Sequence, residues 1–135
     1  MIQKIYKFLG DGGCYFLSLL KAAEGITGKR IDPVVAYAEC VQAGFMTADC
    51  FLEFPHRVLE AYTGNVYEVF KAPISYIALD GEVEVLRFER PTTAQLYSHF
   101  VLGNGEGRVE YDPLGDSQTV KQGKLASKRI FRRVI

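Results

Sequence analysis

Ser98-His99-Phe100-Val101-Leu102-Gly103-Asn104-Gly105-Glu106-Gly107-Arg108-Val109-Glu110-Tyr111-Asp112-Pro113 reads as two alternating apolar runs joined by a glycine-rich turn. Runs of this kind on either side of a Gly/Asn cluster predict an antiparallel hairpin. With Asn104 to Gly107 as the loop, Gly103 faces Arg108, Leu102 faces Val109 and Phe100 faces Tyr111. The four apolar residues then share one sheet face, which a one-residue slip would split. The same register sets His99 directly opposite Asp112. Opposed residues hold their Cβ atoms about 4.5–5.5 Å apart, close enough for an aspartate to hold an imidazole.

Around this hairpin the texture is strand-like. Segments 66–70, 82–88, 98–102, 108–112 and 129–135 are short, β-branched and aromatic, and Pro73, Gly81 and Pro91 punctuate them. Upstream the pattern is helical. Residues 14–24 carry Phe16, Leu19, Leu20 and Ala23 at helical spacing, with Gly25 as the expected stop. Cys14 falls on the other side, with Ser18 and Lys21. Asp32-Pro33 announces a second helix through an N-cap followed by proline; its stripe is Val34, Tyr37, Ala38 and Val41, and it ends at Gly44. A third runs from Pro55 to before Gly64, with Val58, Leu59 and Tyr62 inward. Helices first and a mostly antiparallel sheet after make an α+β fold, N-terminal helices packed on a C-terminal sheet. No repeat or linker divides residues 1–135, so a single domain is expected.

Lysines plus arginines and aspartates plus glutamates number 16 each, so no global charge points to nucleic acid. The basic cluster Lys128-Arg129-Ile130-Phe131-Arg132-Arg133 reads as a solvated strand edge that deters pairing. No apolar stretch approaches the ~20 residues that span a bilayer, and the charged N-terminal segment is not a secretory signal. Three cysteines without an export signal predict reduced thiols in a cytoplasmic protein, a phage-type route of release being left open. There is no Cys-x-x-Cys and the two histidines lie far apart, so neither a metal nor another cofactor is expected.

Gly12-Gly13-Cys14 gives the chemistry a nucleophile. The positive end of a helix dipole favours an anion, and the thiolate is the reactive form of cysteine. His99 would take the thiol proton and return it to the leaving group. Asp112 would fix the tautomer of the ring, and the backbone N–H of Cys14 would donate to an oxyanion. His56 is the competing histidine, and Glu60 one turn on is its expected partner on a solvated helix face. Cys40 and Cys50 read as packing residues. Tyr15, Tyr97 and Tyr111 are candidate cleft residues, with sheet packing as the plainer reading.

At Cys14, at His99-Phe100-Val101 and at Asp112-Pro113 the chain resembles the papain-like cysteine peptidase superfamily. It is most similar to the compact peptidases that process bacteriocin leaders. Gly13-Cys14-Tyr15-Phe16, Ser98-His99-Phe100-Val101 and Gly123-Lys124-Leu125-Ala126-Ser127-Lys128-Arg129-Ile130 also resemble an uncharacterised family associated with spirochaetes and their phage-like plasmids. The resemblance implies a papain-like fold and a Cys14–His99–Asp112 triad. One departure stands out. Papain-like enzymes complete the oxyanion hole with a glutamine shortly before the cysteine, where Phe8 stands here. Gln3 is the nearest glutamine and the candidate donor beside Cys14; Asp11, an anion, would oppose an oxyanion. The expected activity is hydrolysis of a peptide amide. A peptidoglycan-like amide, or transfer to an amine, would use the same residues. The alternative from a different class is an inactive papain-like binding or phage-associated interaction module. The oligomeric state is left open.

Overall fold

The computed structural model describes residues 13–134, and Gln3, Phe8 and Asp11 lie outside them. Helix α1 (Cys14–Thr27) buries Phe16, Leu19, Leu20 and Ala23. It runs one turn beyond the expected stop. Gly25 has an ordinary helical φ, whereas Gly28 takes the left-handed φ of 72° and donates its N–H to the Glu24 carbonyl at 2.8 Å. A helix ends where that conformation closes it, and only Gly28 adopts it. Ser18 is also fully buried, so α1 is enclosed on the side of Cys14 as well.

Helix α2 (Pro33–Gln42) starts as expected, with Asp32 Oδ1 accepting the N–H groups of Val34 and Val35 at 2.9 and 3.3 Å. Its buried positions are Ala36 and Cys40, while Ala38 of the expected stripe is exposed. Two small residues one turn apart let the helix approach the core closely, with Tyr37 and Val41 packed at its flanks. Helix α3 (Pro55–Thr63) buries Val58 and Leu59 and is closed by Gly64 at φ 77°.

Five strands follow: β1 (Tyr67–Ala72), β2 (Val83–Pro91), β3 (Leu96–Gly103), β4 (Val109–Tyr111) and β5 (Lys124–Arg133). A short helix α4 (Gln118–Gln122) precedes β5. The sheet order is β1-β5-β2-β3-β4 and every ladder is antiparallel. The protein is α+β. Val83, Val85, Leu102 and Phe131 on one face join Phe16, Leu19 and Leu59 of the helices in a common core. Alternation turns Glu84, Leu86, Lys128 and Ile130 to the other face, all essentially inaccessible.

The basic cluster is therefore not a solvated edge. Strand β5 lies between β1 and β2, Lys128 is 1 % exposed, and its Nζ meets Glu84 Oε2 at 3.0 Å. Lys128 Nζ also donates to the Tyr76 carbonyl at 2.7 Å, and Glu84 Oε1 accepts from the Gly105 and Gly107 N–H groups at 3.0 and 3.1 Å. A buried lysine tolerates such a position when a carboxylate stands against it and a carbonyl accepts from it. It ties two loops to the sheet.

The hairpin forms with a different register. Leu102 pairs with Tyr111 and Gly103 with Val109, so β4 carries an extra residue at Glu110. This β-bulge was invisible to a pattern read by strict alternation. Asp112 lies one residue beyond β4. Extending the Leu102–Tyr111 register by one step sets it beside Val101, on the face of His99 and diagonal to it. The net shift of two residues relative to the expected pairing preserves the face, and diagonal neighbours remain within reach of long side chains. The contact survives a wrong register. No helix among the described residues is long and apolar enough to cross a membrane.

Candidate active site

Cys14 is the first residue of α1. Gly13 at the N-cap provides no side-chain cap, and no acid stands in the first turn. The opening N–H groups of a helix have no intrahelical acceptor, and among the described residues no side chain caps this end. Ser18 Oγ donates to the Cys14 carbonyl at 2.8 Å, and the Phe100 N–H donates to Cys14 Sγ at 3.4 Å. The helix thus fixes the Cys14 backbone, and the strand contacts its sulfur.

His99 Nε2 stands 2.7 Å from Asp112 Oδ1. An ionised carboxylate only accepts, so Nε2 carries the proton and Nδ1 is left for Cys14. Asp112 is anchored in turn: its Oδ1 accepts the Leu114 N–H at 2.9 Å and its Oδ2 the Ser117 N–H at 3.3 Å. Ser117 is also the N-cap of α4, its Oγ accepting from the Val120 N–H at 3.3 Å. These two donors were not found from the sequence. The readable signal was Asp112-Pro113 ahead of Gly115, whose N–H bonds the Asp112 carbonyl at 2.8 Å across a turn.

Burial opposes the charged form of His99, but hydrogen bonds to Cys14 and Asp112 and the negative charge of both outweigh it, raising its pKa. Burial likewise opposes the Asp112 carboxylate. The His99 hydrogen bond, the Leu114 and Ser117 donors and the imidazolium charge override it and lower the pKa. The two shifts favour the same state, an imidazolium held by a carboxylate. Cys14 is 9 % exposed and His99 4 %.

The other candidates separate from this cluster. Burial, then Asp49 and Cys14, push the Cys50 thiol up to about 11, and burial also raises Cys40. His56 does not pair with Glu60. That carboxylate bonds Arg57 at 3.1 Å and the Tyr67 N–H at 2.9 Å, and His56 Nδ1 is buried with no hydrogen-bond partner among the described residues. Tyr15 stacks on Phe100 with centroids 4.4 Å apart, and Tyr97 packs against Arg90 at 4.6 Å. Tyr111 does line a cleft of about 610 Å³, with Lys21, Gly25 and Leu102, and Lys21 Nζ sits 5.3 Å over its ring. That cleft lies toward the C-terminal half of α1, away from Cys14. No cluster of three metal-ligating side chains occurs among the described residues.

A family model described as "Protein of unknown function, DUF261" matches residues 2–133. The chain belongs to that family. No curated protein and no solved structure matches it. In this DUF261 member the match spans Cys14, His99, Asp112 and all five strands.

Proposed function

We propose that the protein is a cysteine hydrolase of amide bonds with a papain-like arrangement, acting on peptides. The observation that carries this reading is His99, fixed at Nε2 by Asp112 at 2.7 Å and electrostatically coupled to Cys14, the first residue of a helix with no side-chain cap among the described residues. The Cys14 thiolate attacks the carbonyl carbon, forming the C–S bond, while the carbonyl electron pair moves to oxygen. Helix N–H groups, that of Cys14 among them, stabilise this oxyanion. Collapse breaks the C–N bond as the imidazolium protonates the departing amine. Neutral His99 then takes a proton from water, which attacks the thioester and releases a carboxylic acid and the thiolate. Asp112 stays ionised throughout, keeping the ring oriented and its imidazolium stabilised. Gln3 is the proposed second oxyanion donor.

Iodoacetamide supplies the test. Cys14 should be alkylated faster than Cys40 and Cys50, and His99→Ala should abolish that preference while fluorogenic peptides cease to be cleaved. Equal labelling of the three thiols in the folded protein would overturn the proposal. The low exposure of Cys14 and His99 favours a second reading, an inactive interaction module of the same architecture. Preferential labelling of Cys14 with no turnover of any peptide or peptidoglycan amide would select it.

A further inference from the structure

Arg129 is a half-buried arginine on the inner strand β5, on the sheet face toward α1, and no carboxylate pairs with it among the described residues. Its Nη1 donates to Ser127 Oγ at 2.9 Å and to the Lys128 carbonyl at 3.4 Å, which leaves its charge uncompensated. Its guanidinium lies 5.9 Å from the centroid of the Phe100 ring. Phe100 is also the residue whose backbone N–H contacts the Cys14 sulfur, so one residue touches both the cation, through its ring, and the nucleophile, through its backbone. Tyr15, next to Cys14, stacks on the same ring and meets Phe131 edge-on at 6.4 Å. Phe131 and Arg129 are alternate residues of β5 on one face, which places Tyr15 across Arg129. The Tyr15 hydroxyl is buried and has no hydrogen-bond partner among the described residues. Burial pushes its pKa well up, with the charge of Arg129 opposing. Among the described residues, a cation without an anion and a donor without an acceptor thus meet at the ring of Phe100, whose backbone N–H contacts the thiol. Arg87, another arginine of this face, is bonded to Glu89 and to Ser98.

We propose that Arg129 and the Tyr15 hydroxyl form a carboxylate subsite, so that the substrates carry an aspartate, a glutamate or a chain-terminal carboxylate next to the scissile bond. The proposal rests on the hydrolase reading above. Arginine suits the task because its planar donors match a carboxylate two at a time.

The test compares iodoacetate with iodoacetamide on the full chain. Both lose iodide to the thiolate and form an S–CH₂ bond, but only iodoacetate carries a carboxylate. The iodoacetate-to-iodoacetamide rate ratio at Cys14 should exceed that of free cysteine at the same pH, and Arg129→Met should lower it by about three- to tenfold, as expected for losing one nearby charge. Lys71→Gln, which removes an exposed cation on the neighbouring strand opposite Arg129, should change it far less. On the unmodified protein, N-acetyl-aspartate amide should slow iodoacetamide labelling of Cys14 where N-acetyl-asparagine amide does not, a comparison that stands even if Arg129→Met fails to fold. A ratio untouched in folded Arg129→Met, or equal protection by the two amides, would overturn the subsite. Failure of iodoacetamide to prefer Cys14 over Cys40 and Cys50 would instead overturn the hydrolase reading.

Discussion

At the scale of single residues, the acid is the informative member of the site. Asp112 spends one oxygen on His99 and the Leu114 N–H and the other on the Ser117 N–H, so its carboxylate has little freedom to rotate. Asp112→Asn keeps the size and removes the charge that raises the His99 pKa. The pH above which Cys14 alkylation loses its His99-dependent limb should therefore move down in this variant, read from a rate profile with iodoacetamide. On the proposed hydrolase reading, peptide turnover should fall by orders of magnitude, since a neutral amide can hold the ring in the wrong tautomer. The sequence made His99 and Asp112 legible as partners because alternation puts both on one face. It did not show the bulge at Glu110, since an extra residue leaves both flanking apolar patterns intact. Arg129 was hidden for a different reason: in a basic run, a charge facing the core and a charge facing water look alike.

At the scale of elements, the start of α1 couples stability to chemistry. Glycine at the N-cap forgoes a side-chain hydrogen bond, and replacing a capping side chain by glycine costs only a few tenths of a kcal/mol. Gly13→Ser would offer an oxygen to the same N–H groups that an oxyanion needs. Its melting temperature should stay within a degree or two of the parent while the acylation burst slows tenfold or more, as losing an oxyanion donor does. The Glu84–Lys128 pair predicts the reverse profile. Glu84→Gln strands a fully buried ammonium, with an expected loss of about 3–5 kcal/mol in urea unfolding. Glu84→Leu combined with Lys128→Met should recover much of that, because the pair rather than either residue is what the sheet requires. Gly103 belongs to this unit: an added Cβ would lie 2.3 Å from Glu84 Oε1. The element ends that were readable, Asp32-Pro33 and Gly64, carry their own backbone or capping chemistry. The end of α1 was misjudged because two glycines compete, and φ rather than residue type decides between them. Helix α4 is too short to show a period.

At the scale of the molecule, pH links the site to the fold. The pKa of Asp112 is lowered, so its contribution is present above its unfolded value of about 3.9 and lost as pH falls through the folded value. The pKa of His99 is raised, so its contribution is full below about 6.5 and lost as pH rises through the folded value. The two overlap between about pH 4 and 6.5. The difference in melting temperature between the parent and Asp112→Asn should be greatest in that interval and shrink on either side.

Strand β5 also sets a calendar for synthesis. Strands β1 and β2 have no contact as ladder neighbours; their shared partner, residues 124–133, leaves the ribosome after both. Until then each presents a bare edge to whatever neighbour comes first, another nascent chain included. A chain halted before residue 124 would already hold Cys14, His99 and Asp112 yet lack the strand that seats the sheet. It should accumulate as aggregate, not as a partly folded domain, and the expected fractionation of such a truncation is into the pellet.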